Sequence, residues 1–196
     1  MEGDRLTRAI RAIDAANAAD PNLLIVDGQE RPKELAHAEL VTRWVEHLHP
    51  EPSEALLLAA RAHHLRRWTV ARASYPSGRS GYLKWRTRLH EQHAVEVAEI
   101  LDEVGYDAAT IARVQDIVRK RGLGTDPEVQ ALEDSLCLVF FETQLRDLVA
   151  RVDPGTMTGI VAKTTKKMSD RALALALDLD LEAEDRALLL RVLGGQ

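Results

Sequence analysis

The sequence predicts an all-α fold, and three observations carry that expectation. Apolar residues recur at helical spacing nearly throughout, and no segment alternates strictly as a half-buried strand would. Aromatics make up only 4%, while Ala, Leu, Arg and Glu are abundant, a bias toward helix formers. Capping residues, prolines and glycines stand where the periodicity starts and stops. With 196 residues, 45% hydrophobic and 29% charged, the chain suits one globular domain over 1–196. The expected architecture is a bundle of about seven to eight helices.

The elements follow in order. Residues 4–20 place Leu6, Ile10 and Ile13 on one face and stop before Pro21. The stretch "PNLLIVDGQERPK" reads as a loop punctuated by Pro and Gly. Residues 33–49 carry a stripe of Leu40, Val41, Trp44, Val45 and Leu48 and end at Pro50. Ser53 is a candidate N-cap for a third helix that is Ala or Leu at every position from 55 to 60, so it should be central and buried. "ASYPSGRSGY" reads as the clearest loop. A long helix then runs from Tyr82 to a C-cap at Gly105. Asp107 caps the next, which should close at Gly122, and Asp126 with Pro127 opens a long apolar one through residue 152. Two weaker helices, around 156–177 and 181–193, finish the chain. The single cysteine, Cys137, cannot form an internal disulfide and sits in the apolar run "LCLVFF" as a buried thiol. No apolar run approaches membrane-spanning length and "MEGDRLTRAI" lacks a signal-peptide core, so a cytoplasmic protein with no membrane partner is expected.

Charge is unevenly spread. The net charge is −5, yet residues 55–90 contain no Asp or Glu. They hold Arg61, Arg66, Arg67, Arg72, Arg79, Lys84, Arg86 and Arg88, so this island carries +8 and the rest of the chain −13. It also holds Trp68, Tyr75, Tyr82 and Trp85, four of the eight aromatics. A cationic island on an acidic chain points to a local anion site, against the plainer reading of a solvated basic face.

The buried third helix ends in His63 and His64. Neutral imidazole is the commonest protein ligand for a transition metal, and two adjacent histidines point about 100° apart on a helix. His37 faces the core from the preceding helix, and His90 and His93 share a face of the long helix, with Ala94, Val97 and Leu101 beside His93. Asp134 lies among Ala131, Leu132, Leu136 and Val139, a costly place for an unpartnered carboxylate.

This order of residues resembles the HD-domain superfamily of metal-dependent phosphohydrolases. His37 matches that family's first histidine, His63 the histidine of its His-Asp pair, and Asp134 in "ALEDSLCLVF" its closing aspartate. "HAVEVAEIL", from His93, is similar to the extra histidine helix of two-metal members. The resemblance covers about residues 34–142, a metal-binding core with the terminal helices packed on it. It departs at His64, where the family has Asp. A histidine-rich shell suits Fe, Mn, Zn or Ni better than Mg, as one or two ions. The whole chain, including "SYPSGRSGYLKWR", also resembles a family known only as a domain of unknown function.

The expected function is therefore a metal-dependent phosphohydrolase acting on a nucleotide or another phosphorylated small molecule. His37, His63, His64, His93 and Asp134 would hold metal. Arg66, Arg67, Arg72, Arg79 and Arg86 would hold phosphate, with His90 and Lys84 as further candidates. The loop from Trp68 to Arg88 would fold over the metal. Two other readings stand beside it: a di-iron oxygenase, as in some relatives of the superfamily, and an RNA- or tRNA-binding module with a structural metal. The acidic pI near 5.8 weighs against broad nucleic-acid binding.

Overall fold

Helices dominate because the apolar spacing is helical and capping residues mark their ends. The protein's structure, a computed structural model, describes residues 2–26 and 28–194. The chain divides into two units, 1–121 and 122–196.

The first unit opens with helix α1 (Glu2–Asn17), which buries Ala9 and Ile13. The segment expected as a loop contains a hairpin, β1 (Leu23–Val26) paired antiparallel with β2 (Gln29–Pro32), Leu23 opposite Pro32 and Val26 opposite Gln29. That corrects the expectation of no sheet. The strands were hidden because Leu23 and Ile25 point outward, 55% and 67% exposed, so no apolar-in, polar-out alternation exists to read. Gly28 supplies the positive φ, +75°, beside the turn.

Helix α2 (Lys33–Leu48) begins on Pro32, which offers no side-chain cap. The carboxylate of Asp20 substitutes, accepting the backbone N–H of Glu34 at 3.0 Å. Helix α3 (Glu54–Ala62) starts on Ser53, whose hydroxyl accepts the Leu56 N–H, as the sequence predicts. It packs against α1, α2 and helix α5 (Ala108–Val118), and it buries every residue from 55 to 60 except half-buried Leu57. Helix α4 (Gly78–Val104) packs against α1 and α5 and ends on Gly105 at φ +91°. It starts four residues earlier than expected, on Ser77, which places Arg79 and Gly81 in the helix. The loop before it is short and contains two 3₁₀ turns, Arg67–Thr69 and Arg72–Ser74. A Cβ on Gly81 would lie 1.9 Å from the Pro76 carbonyl oxygen, so only glycine lets the loop backbone rest there. Helix α5 stops at Val118, short of Gly122, because Lys120 already turns left-handed at φ +59°.

The second unit holds α6 (Pro127–Thr143), α7 (Leu145–Val149), α8 (Pro154–Thr165), α9 (Asp170–Asp178) and α10 (Ala183–Gly194). Asp126 and Pro127 open α6 as the sequence predicts. Gln144 splits the single helix expected to 152 into α6 and α7, and Ser169, capping the Ala172 N–H, splits the one expected at 156–177. That leaves ten α-helices among the described residues, more than the seven to eight predicted. None is long and apolar enough to cross a membrane.

Candidate metal centre

Helix α2 contributes His37, one turn after Glu34. The end of α3 contributes His63, its C-cap, and then His64. Each of these three residues offers a nitrogen within 4.8 Å of the others, close to the span of about 4 Å across one metal ion with Zn–N bonds. His93, from the middle of α4, is fully buried, and its ring centroid lies 6.0 Å from that of His64.

Hydrogen bonds fix which nitrogens are free to bind. His63 Nδ1–H donates to the Ala60 carbonyl at 2.7 Å, which leaves Nε2 with a lone pair. That Nε2 accepts a hydrogen bond from His37 Nδ1–H at 3.1 Å, near the roughly 3.4 Å that separates two nitrogens sharing a tetrahedral ion, so an ion bound between them would take the place of that proton. His93 Nδ1–H donates to the Leu65 carbonyl at 2.8 Å, and its buried Nε2 has no hydrogen-bond partner. A buried, unsatisfied lone pair costs free energy, and a ligand would remove that cost. His64 Nδ1 meets Glu34 Oε2 at 3.0 Å, and its Nε2 meets the Arg67 guanidinium at 3.2 Å. Since Arg67 can only donate, His64 carries its proton on Nδ1 and gives it to Glu34.

Electrostatics keep the rings neutral. Burial, above all, holds His37 and His93 down to about 3, with Arg67 adding to it for both. Burial also holds His63 and His64 well below the ordinary histidine range, each reinforced by its neighbouring imidazole. Neutral imidazoles are the form that binds metal. Burial pushes the Glu34 carboxyl up to about 7, against the pull of Arg67 and Lys33.

Glu34 is the residue that sequence reading missed. It precedes His37 by three positions, so the two share a helix face, and that spacing in "ELAH" was the available signal. Asn17 was missed as well. Its Oδ1 accepts the Arg66 N–H at 3.1 Å and holds Arg66 at φ +49°, which completes the turn that carries His63 and His64.

The expected phosphate residues separate into two sets. Arg67 reaches His64, lies 3.9 Å from Glu34 and stacks over the Trp85 ring at 4.6 Å. Arg66 instead pairs with Glu96 at 3.5 Å. Arg72 donates to the carbonyls of Tyr75, Pro76 and Gly78, which turns its guanidinium into a brace for its own loop. Arg79 and Lys84 are exposed on α4, and Arg86 lies over the Tyr82 ring at 5.8 Å. His90 is half-buried, one turn before His93. Asp134 belongs to the second unit, where its carboxylate accepts Gln130 Nε2–H at 2.8 Å and the N–H and hydroxyl of Ser169 at 2.9 and 2.6 Å.

Over residues 7–189 the sequence matches the family described as a domain of unknown function (DUF4202). The chain belongs to that family. The matched span takes in the four histidines, Glu34 and Arg67, so the candidate centre lies inside the DUF4202 domain. No curated protein and no solved structure matches the chain.

Proposed function

We propose that the chain is a metal-dependent phosphohydrolase acting on a nucleotide or another phosphorylated small molecule, with metal held by His37, His63, His64 and His93. The observation that carries this reading is a set of neutral imidazoles, one with an unsatisfied buried lone pair, beside a single guanidinium. The order of His37 and the His63–His64 pair supports reading the chain as a divergent relative of the HD-domain superfamily. Asp134 has its oxygens engaged by Gln130 and Ser169, so the reading rests on the histidines, of which His64 would bind through Nε2 once the Arg67 guanidinium turns from it toward substrate.

A divalent transition metal held there would supply Lewis acidity toward a phosphoryl oxygen. The protein groups do the rest. Backbone carbonyls of Ala60 and Leu65 fix the tautomers of His63 and His93, and Glu34 fixes that of His64. Arg67 is held in place by the Trp85 ring and presents a planar donor fork suited to two phosphate oxygens. A nitrogen-rich donor set with a Glu-x-x-His pair, Glu34 and His37, also suits iron, which favours the oxygenase as the second reading.

Elemental analysis of the purified protein, then a phosphate-release screen over nucleotides and sugar phosphates, tests the proposal. The expected result is bound transition metal and release that disappears, with the metal, in His63→Ala. Arg67→Met should keep the metal and lose about 100-fold in rate, the size of a missing oxyanion donor. A protein without metal, or one that releases phosphate from none of these substrates, overturns the hydrolase. Iron with oxygen-dependent turnover supports the second reading.

A further inference from the structure

The first half of α4 is left over once the centre is assigned. Arg79, Lys84 and Arg88 are exposed there, and among the described residues they have no ion pair or hydrogen bond. The acid nearest in sequence, Glu91, is already bound to Arg119 at 2.9 Å. Lys84 and Arg88 line a shallow depression with Leu83, Thr87 and that same Glu91. Arg79, Tyr82 and Arg86 occupy successive turns of one stripe, and Tyr82 is 42% exposed. The buried face of the same turns, Gly81, Trp85 and Leu89, anchors the helix, so the exposed side is presented rigidly with one basic stripe toward each flank.

We propose that single-stranded nucleic acid docks across the exposed side of these turns, running from Tyr82 and Arg86 past Arg79 to Lys84 and Arg88, its phosphates on the four cations and a base on Tyr82. An aromatic ring beside a guanidinium is the sequence-tolerant platform on which bases stack. Four cations within three turns match a polyanion, whereas the chain outside residues 55–90, at −13, repels one. An anionic membrane fits less well. It needs a broad apolar face, and this segment exposes only Tyr82 and Leu83 as large hydrophobics. The inference is independent of the metal reading, because none of these residues touches the histidines.

The test is fluorescence anisotropy of the full chain with a labelled 15-nucleotide oligo(U) and its deoxy counterpart. Four phosphate contacts predict that affinity drops about 50-fold between 50 and 200 mM salt. The triple variant Arg79→Glu/Lys84→Glu/Arg88→Glu should abolish binding while keeping its metal content and helical circular dichroism. Tyr82→Ala should weaken binding about tenfold. No binding at 50 mM salt overturns the proposal. So does binding that survives the triple variant, or stronger association with vesicles of phosphatidylserine and phosphatidylcholine than with the oligonucleotides. Unchanged phosphate release in a variant that has lost oligonucleotide binding separates this surface from the centre.

Discussion

In residues 122–196, buried Asp134 accepts hydrogen bonds from Gln130 and Ser169, and buried Glu133 pairs with Lys167 at 2.6 Å. In residues 1–121, buried His93 satisfies Nδ1 on a carbonyl and leaves Nε2 with nothing. His37 Nδ1–H donates to His63 Nε2 at 3.1 Å, so these two rings are held together by one imidazole–imidazole hydrogen bond. Both units bury polar side chains at similar depth. In the second, Asp134 and Glu133 tie helices together and their hydrogen bonds are met from within, while buried Asp185 has one oxygen with only the Arg146 guanidinium at 3.9 Å. In the first, imidazole nitrogens from three helices converge, and one of them, His93 Nε2, is left without a partner. The lesson is that neither burial nor a single unused polar atom, such as Asp185 Oδ1, marks a site; several metal-ligating nitrogens converging on one spot do.

The largest effect that would break the contrast comes from the metal itself. A chelator should lower the melting temperature by about 10 °C, since a ligand at a thousand times its Kd contributes about 4 kcal/mol. His63→Ala and His37→Ala should melt at one temperature with or without chelator. A chelator shift that persists in both variants would put the metal elsewhere.

Acid should act next most strongly on the metal-free protein. His37 and His93 sit at about 3 in the fold, against 6.5 when exposed. Between those values the unfolded chain takes up protons that the folded chain refuses, so stability is full above pH 6.5 and declines toward pH 3. Glu34, raised from 4.5 to about 7, works oppositely and costs stability as pH rises through that window. With four depressed histidines against one raised carboxyl, the urea midpoint should be lower at pH 5 than at pH 7.5. An unchanged or higher midpoint at pH 5 would mean that the rings charge where they sit.

Asp134→Ala sharpens the contrast from the other unit. It leaves the Ser169 and Gln130 donors without their acceptor, so denaturant unfolding should show a loss of about 3 kcal/mol. Its metal content should stay at the wild-type level. A folded variant that has lost its metal would instead make Asp134 a ligand. The smallest change is Arg66→Gly. It relieves a left-handed residue and should stabilise by about 1 kcal/mol, or a few degrees in a melt.

The helical class, the central burial of α3 and the meeting of His37, His63 and His64 were all legible, because periodicity and residue type carry them. Glu34 was not, since its inward direction depends on Asp20 seizing the first turn of α2 from fourteen residues away. The arginines were misjudged for a related reason. Sequence shows that residues 55–90 lack carboxylates, but it cannot show Arg72 spending its donors on carbonyls, or Glu96 arriving from later in α4 to meet Arg66. The hairpin escaped because a pair of four-residue strands draws its order from ladder bonds, with apolar residues left outside.

The loop between α3 and α4 is held almost entirely through main-chain atoms: Arg72 on the carbonyls of Tyr75, Pro76 and Gly78, Trp85 Nε1–H on the Val70 carbonyl at 2.9 Å, and bare Gly81 against the Pro76 oxygen. Main-chain oxygens are present whatever side chain stands above them. Val70, Ala71, Ala73 and Ser74 are therefore free to drift in evolution while the shape persists, provided Arg72, Trp85 and Gly81 stay. Homologous chains should thus carry a hypervariable surface stretch pinned by three invariant positions, a pattern that would otherwise be mistaken for a segment without fixed structure.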